Sequence, residues 1–121
     1  MSKPILETGR VLQIEFIVSD AHTEYWGKPS KARCKMAFID LDNIQLEFIE
    51  PDEEESDWKK SLEEKGDCLH HIAFEVKGMK DQIASLKETG IECIQKGDYP
   101  GGRYAFMDTE KEYGEIRASG K

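Results

Sequence analysis

The sequence has no long apolar run, and basic side chains are outnumbered by acidic ones. No stretch approaches the roughly 18 consecutive apolar residues of a transmembrane helix, and the opening MSKPILETGR lacks the apolar core of a signal peptide. The net charge of −8 argues against nucleic acid or an anionic membrane as a partner, because both require a basic face. We therefore expect a cytoplasmic protein that binds a small molecule or another protein.

Cysteine is also scarce. Cys34, Cys68 and Cys93 are odd in number, far apart and form no CxxC pair, which favours reduced thiols that pack within the fold over a disulfide framework or a zinc cluster. The 121 residues, 38% of them hydrophobic, suit one compact domain with a real core.

Alternation of apolar and polar residues predicts a series of strands. The segments are RVLQIEFIV (10–18), CKMAFID (34–40), NIQLEFIE (43–50), CLHHIAFEV (68–76), IECIQKG (91–97), RYAFMD (103–108) and the end of the chain around YGEIRAS (113–119). Two helices are predicted as well. The acidic segment 51–67 pairs Trp58 with Leu62 at i, i+4, and residues 78–90 place Met79, Ile83 and Leu86 on one face before a glycine.

Two adjacent histidines stand in the fourth of these strands. Strand alternation places His70 with Ile72 and Phe74 on one face and His71 with Glu75 on the other. If the apolar face packs on the core, His71 faces the opposite side. A single histidine on a strand is more often structural than a ligand, so alternation alone leaves its role open.

A short internal similarity extends this pattern. Aligning QIEFIV (13–18) with HIAFEV (71–76) places Gln13 opposite His71, and in NIQLEFIE the side chain of Glu47 lies opposite the apolar Leu46 and Phe48. Three strands thus each carry one apolar face and one polar side chain that could be a ligand.

The segments VLQIEFIVSD, NIQLEFIEP, GDCLHHIAFEV and PGGRYAFMDTE together resemble the vicinal oxygen chelate superfamily, which includes glyoxalases, bleomycin resistance proteins and dioxygenases. The nearest branch is that of methylmalonyl-CoA epimerase and glyoxalase I. The resemblance implies an α+β fold of two βαβββ modules that form a U-shaped, partly open barrel around a divalent metal. The modules would be residues 10–50 and 68–119, with an acidic helical linker at 51–67.

The same resemblance implies the ligands. Gln13, Glu47 and His71 fall on three of the four metal-ligand positions, and His70 receives no role. The fourth ligand is a glutamate of the last strand that also moves the substrate proton. Here that position holds Arg117 or Ala118, neither of which binds a metal, and the nearest carboxylate is Glu115.

The implied chemistry is abstraction of a proton next to a carbonyl, with Zn²⁺, Ni²⁺, Co²⁺ or Mn²⁺ stabilising the oxyanion. Glu47, Glu115 and, less favoured, Glu75 are candidates to carry the proton. Arg103 in PGGRY could pair with an anionic group of the substrate, although a plain hairpin turn explains this segment equally well. Two alternatives stay open: a metal-free small-molecule binding module, and a dimer without catalytic activity.

The first module is short. Residues 19–33 are too few for the helix and the strand that the resemblance implies, so the helix is expected to be missing. A sheet face without its helix exposes apolar surface, and we expect a homodimer to cover Leu12, Phe16 and the neighbouring strand faces.

Overall fold

The structure is a computed structural model that describes residues 11–16, 22–99, 102–113 and 117–120. Its elements in chain order are β1 (Val11–Phe16), β2 (Glu24–Tyr25), β3 (Lys28–Pro29), β4 (Cys34–Asp40), β5 (Gln45–Pro51), α1 (Asp57–Lys65), β6 (His71–Phe74), α2 (Met79–Glu88), β7 (Cys93–Tyr99), β8 (Gly102–Met107), α3 (Glu110–Tyr113) and β9 (Arg117–Gly120).

The strands form two sheets. One has three strands in the order β1-β4-β5, and the other has six in the order β3-β2-β7-β8-β9-β6. All neighbours are antiparallel except β6 and β9, which are parallel. The predicted α+β class is confirmed, and the second half runs β6-α2-β7-β8-β9, with the short α3 before the last strand. The described strands do not close into a barrel.

The first half contributes to both sheets. Residues 22–33 contain β2 and β3 and no helix, as the short spacing of this segment predicts. A turn with positive φ at Trp26 (52°) and Gly27 (78°) joins the two short strands. Because β2 pairs with β7, the first half supplies an edge of the larger sheet.

Helix α1 starts later than the acidic run suggests. Ser56 is its N-cap, and its hydroxyl accepts a hydrogen bond from the backbone N–H of Lys59 at 3.0 Å. The helix buries Trp58 against the rings of Tyr104 and Phe106, at centroid distances of 5.8 and 5.9 Å. These contacts join α1 to β8 in the core.

Helix α2 agrees with its prediction. It spans Met79–Glu88, and Gly90 follows it with a φ of 91°, a conformation that favours glycine. The predicted face of Met79, Ile83 and Leu86 is half-buried, and the helix fully buries none of its residues. No helix in the described part of the chain is both long and apolar enough to cross a membrane.

The apolar face predicted for β6 is not buried. Ile72 is 46% exposed and Phe74 is 59% exposed, whereas His71 and Ala73 on the other face are half-buried. The alternation is as predicted, but the orientation relative to the core is reversed. β6 has only four residues and forms an edge of its sheet, so fewer neighbouring strands are available to bury its side chains.

The three cysteines are free thiols, as predicted. Cys34 is buried in the core and Cys93 is half-buried, but Cys68 is exposed, so the prediction that all three pack inside the fold is wrong for Cys68.

Candidate functional site

Glu47 and His71, two of the three predicted metal ligands, meet where an edge strand of one sheet approaches an edge strand of the other. Glu47 lies on β5, an edge of the three-stranded sheet, and His71 opens β6, an edge of the six-stranded sheet. Glu47 Oε2 is 3.2 Å from His71 Nε2, and both side chains are nearly buried. A carboxylate oxygen and an imidazole nitrogen at this distance can share a proton or bind a common cation.

The backbone pairing places the third predicted ligand in the same row. Gln13 on β1 is opposite Phe38 on β4, and Phe38 is opposite Glu47 on β5. Since adjacent strands lie about 4.8 Å apart, the backbone of Gln13 is about 10 Å from that of Glu47. Gln13 therefore has the right register but is separated from Glu47 by one strand, and its convergence on the pair remains a prediction.

The position of the expected fourth ligand is resolved by the pairing of β9 with β6. Arg117 is opposite His71, and Ala118 is opposite the exposed Ile72. Of the two candidate positions, the one beside His71 thus holds an arginine. Glu115, the alternative carboxylate, lies outside the described residues.

A chain of hydrogen-bonding groups continues from His71 into the protein. His71 Nδ1 is 2.9 Å from His70 Nδ1, and His70 Nε2 is 2.7 Å from Asp57 Oδ2. Asp57 is 1% exposed, and His70 is nearly buried. Strand alternation does not separate the two histidines, because β6 begins only at His71 and His70 belongs to the preceding loop.

Phe106 on β8 supports both imidazole rings. Its ring centroid lies 4.9 Å from that of His70 and 4.8 Å from that of His71, and the His70 contact is edge-to-face with an interplanar angle of 81°. Phe106 is itself buried. Sequence reasoning assigned no role to His70, Asp57 or Phe106 in the site.

The Asp57 end of the chain is anchored by the core. The backbone N–H of Asp57 donates to Gln95 Oε1 at 2.7 Å, and Gln95 Nε2 donates to the Tyr104 hydroxyl at 3.0 Å. Gln95 and Tyr104 are buried, and burial raises the pKa of Tyr104 to about 12. The first turn of α1 is therefore fixed to β7 and β8 by buried polar contacts.

An open cavity of about 930 Å³ lies beside the pair, between β5, α1 and β6, and both Glu47 and His71 line it. Six of its lining residues are large, exposed and apolar: Ile44, Phe48, Leu62, Leu69, Ile72 and Phe74. A polar pair within an apolar cavity suits a ligand that has a polar reacting group and an apolar body.

Two further predicted residues lie apart from the pair. The Arg103 side chain is exposed on β8, with Nε 3.9 Å from Asp98 Oδ1, and it does not line the cavity as far as the chain is described. Its role in substrate binding stays a prediction. Glu75 lines the cavity but is exposed.

No group of three His, Cys, Asp or Glu residues that could hold a metal occurs within the described ranges. The described side chains bring together one carboxylate, that of Glu47, and one imidazole, that of His71.

Comparison with known proteins identifies the family. The model of the glyoxalase/bleomycin resistance protein/dioxygenase superfamily matches residues 10–106. The chain belongs to this superfamily. It is similar to the uncharacterized protein YqjC of Bacillus subtilis (strain 168), with 33% identity over 85 residues. That match covers 68% of this chain and 61% of YqjC, so this glyoxalase-superfamily chain spans about three fifths of that relative.

The fold of this superfamily member also has a counterpart among crystal structures. A hypothetical protein from Bacillus halodurans C-125 superposes with a TM-score of 0.65 and 24% sequence identity. The match covers 92% of this chain and 73% of the other. This match indicates that the two proteins share one fold.

Proposed function

We propose that this superfamily member is a metal-dependent isomerase or lyase that removes a proton next to a carbonyl group, in the manner of methylmalonyl-CoA epimerase and glyoxalase I. The observation that carries the proposal is the nearly buried pair Glu47 and His71, whose donor atoms lie 3.2 Å apart on the wall of the cavity. The substrate class would be an acyl-CoA or a thiol conjugate.

The residues present fit a divalent ion. Glu47 supplies a carboxylate oxygen and His71 an imidazole nitrogen, and Gln13 would add an amide oxygen from the same register row. Such oxygen and nitrogen donors suit Zn²⁺, Ni²⁺, Co²⁺ or Mn²⁺. When bound, the ion would stabilise negative charge that develops on a substrate oxygen.

The chain itself would supply the proton carrier and the enclosure. The carboxylate of Glu47 lies at the cavity wall, 3.2 Å from the imidazole of His71. This imidazole can donate a hydrogen bond to the ionised carboxylate of Glu47 or accept one from its protonated form. Glu115 would be the second proton carrier. The apolar side chains around the pair would hold the body of the substrate and exclude water from the reacting carbon.

Metal content is the first test. Elemental analysis of the untagged protein, followed by calorimetric titration with each of the four ions, should show one ion bound per chain. Glu47→Gln and His71→Ala remove proposed ligands, so each should weaken binding by more than about 100-fold, beyond the usual loss from outer-shell changes. Glu50→Gln on the same strand and His22→Ala, both at exposed positions, are matched controls that should bind as the parent does.

Activity is tested by exchange of a substrate proton. Incubation of the metal-loaded protein with methylmalonyl-CoA or a thiol conjugate in deuterated water should label the carbon next to the carbonyl, and Glu47→Gln should abolish labelling. A parent protein that binds metal stoichiometrically but labels neither substrate class would contradict the proposed reaction.

A second function is favoured by one observation. Arg117, at the register position beside His71, places a cationic residue where the resemblance expects a carboxylate. With the apolar cavity nearby, this arrangement suits a metal-free module that binds an apolar anion. Titration with octanoate in buffer containing a chelator measures such binding.

One substitution separates the two functions. Arg117→Glu should raise metal affinity in a metal-dependent enzyme, because it adds an anionic oxygen next to His71. In a metal-free module the same change should abolish octanoate binding without creating a metal site. Ala118→Glu, opposite the exposed Ile72, is the matched control.

A further inference from the structure

We propose that Trp58 is a ligand-binding residue whose indole N–H donates a hydrogen bond to a carbonyl or carboxylate oxygen of the molecule bound in the cavity. This role rests on the proposed function only in so far as a substrate occupies the cavity, and it requires no metal ion. Trp58 thereby gains a part in ligand selection in addition to its packing in the core.

The indole nitrogen of Trp58 is a buried donor without an acceptor. The residue is 3% exposed, and Nε1 has no hydrogen-bond partner among the described residues. Buried indole N–H groups are normally paired, because an N–H that loses water and gains no acceptor costs free energy. A ligand that brings an acceptor into the cavity removes this cost.

The packing of the ring leaves the cavity as the side from which an acceptor can come. Trp58 packs against the core rings of Tyr104 and Phe106, at centroid distances of 5.8 and 5.9 Å. It also lines the cavity, together with Ser61 and Leu62 at i+3 and i+4 on the same face of α1. Aromatic rings thus occupy the core side of the indole, and the cavity adjoins it on the other side.

One bound molecule can reach both Trp58 and the pair of Glu47 and His71. Phe106 packs against Trp58 and, at a centroid distance of 4.8 Å, against His71, so a single ring separates the indole from the imidazole. On β5, Ile49 shares a face with Glu47 and packs against the core cluster that contains Trp58. A substrate whose reacting carbon lies at the pair can therefore place another of its oxygens at Trp58.

A side chain of the cavity wall must move for this contact to form, because Nε1 itself is covered in the ligand-free chain. Leu62, one helical turn from Trp58 and 42% exposed, borders solvent and can turn aside. Binding then exchanges an apolar cover for a hydrogen bond, and this exchange is measurable at the indole hydrogen.

The direct test is the indole signal of Trp58 in ¹H–¹⁵N correlation spectra. The chain has two tryptophans, so Trp26→Phe assigns both indole signals. Metal-free protein in chelator is titrated with octanoate, which has a carboxylate, and with the octanoyl thioester of N-acetylcysteamine, which has an uncharged carbonyl. We expect the indole hydrogen of Trp58 to move downfield with at least one probe, and the probe that acts identifies the kind of oxygen.

Two results of this titration would overturn the proposal. One is a shift of the backbone signals of Ile72 and Phe74, on the cavity wall, without a change at the Trp58 indole. The other is the absence of binding by both probes. The indole signal of Trp26, which is 49% exposed and outside the described cavity lining, is the internal control and should not move.

An isosteric replacement separates hydrogen bonding from packing. In the Trp26→Phe background, Trp58→benzothienylalanine puts sulfur in place of the N–H and keeps the shape of the ring. Affinity should fall by about 10–100-fold for octanoate and about 2–10-fold for the uncharged thioester. The melting temperature of the ligand-free protein should not fall, because this N–H has no partner to lose. Unchanged affinity, or a lower melting temperature that reveals an acceptor within the protein, would refute the proposal.

Failure of this role and failure of the proposed function are distinguishable, because the titrations need neither a metal ion nor turnover. A parent protein that binds a probe through Trp58 but takes up no metal and labels no substrate would retain the role of Trp58 and refute the enzyme. Proton exchange with an unchanged KM in Trp58→benzothienylalanine would retain the enzyme and refute the role of Trp58.

Discussion

Replacing Tyr104 with phenylalanine should make the stability of this fold less sensitive to alkaline pH. Burial raises the pKa of Tyr104 from 10.0 to about 12 in the folded chain. Because this buried phenol resists ionisation, its whole contribution to the free energy of unfolding is present at pH values below the pKa of tyrosine in the unfolded chain. That contribution is lost as the pH rises from 10 towards 12, because the unfolded chain then releases the proton and the folded chain does not.

The magnitude follows from the size of the shift. Each unit of pKa shift corresponds to about 1.36 kcal/mol, so the parent should lose about 1.4 kcal/mol by pH 11 and at most about 2.7 kcal/mol at higher pH from this group. Near pH 8 the variant should be less stable than the parent by about 1–2 kcal/mol, because Gln95 Nε2 loses its buried acceptor. The two stabilities should therefore become equal near about pH 11.

Urea unfolding of parent and variant across this pH range measures the difference directly. Other groups titrate in the same range, but they do so equally in both proteins, so the difference isolates Tyr104. Tyr99→Phe, which removes the same hydroxyl at an exposed position, is the matched control. A Tyr104→Phe difference that stays constant with pH would refute the reasoning.

Three further predictions concern the fold. Ser56→Ala removes the N-cap of α1 and should lower the free energy of unfolding by about 1 kcal/mol, whereas Ser85→Ala, at an exposed position inside α2, should change it by less than about 0.5 kcal/mol. Gly97→Ala would bring a methyl group 2.7 Å from Tyr104 Cε1 and should destabilise by about 1–3 kcal/mol in thermal unfolding; Gly66→Ala, in open space with a φ of 68°, measures backbone strain alone. Sedimentation should show a dimer, since residues 22–33 contain no helix that could cover an apolar sheet face of the first half; a monomer at micromolar concentration would contradict it.

Local pattern predicts local structure well in this chain. The predicted strand at residues 34–40 agrees with β4 at Cys34–Asp40, whose first three residues alternate as buried Cys34, exposed Lys35 and buried Met36. β6 was expected over nine residues and spans four. Its apolar residues carry the strand pattern, but the pattern does not reveal that the strand is short, at an edge, and turned with its histidine inward.

The residues of the candidate site were also only partly predictable from the sequence. Strand alternation marks Glu47 and His71 as polar residues within apolar strands, and the resemblance to the superfamily is what selects them as candidate ligands. Asp57 could not, because it is one of many carboxylates in an acidic segment, and only its tertiary contact with His70 distinguishes it. The fold shows that Asp57 is buried within an otherwise exposed acidic segment, and the sequence alone does not show this.

The pairing of β2 with β7 makes the two halves of the chain depend on each other. Glu24 is opposite Lys96 on these strands, and their side chains form an ion pair with a separation of 3.3 Å, although the residues are near opposite ends of the chain. Neither half of the chain can complete the larger sheet alone, so the two halves should not fold as separate fragments. Unfolding should be a single cooperative transition, and refolding should be slowed by the need to close this distant pairing.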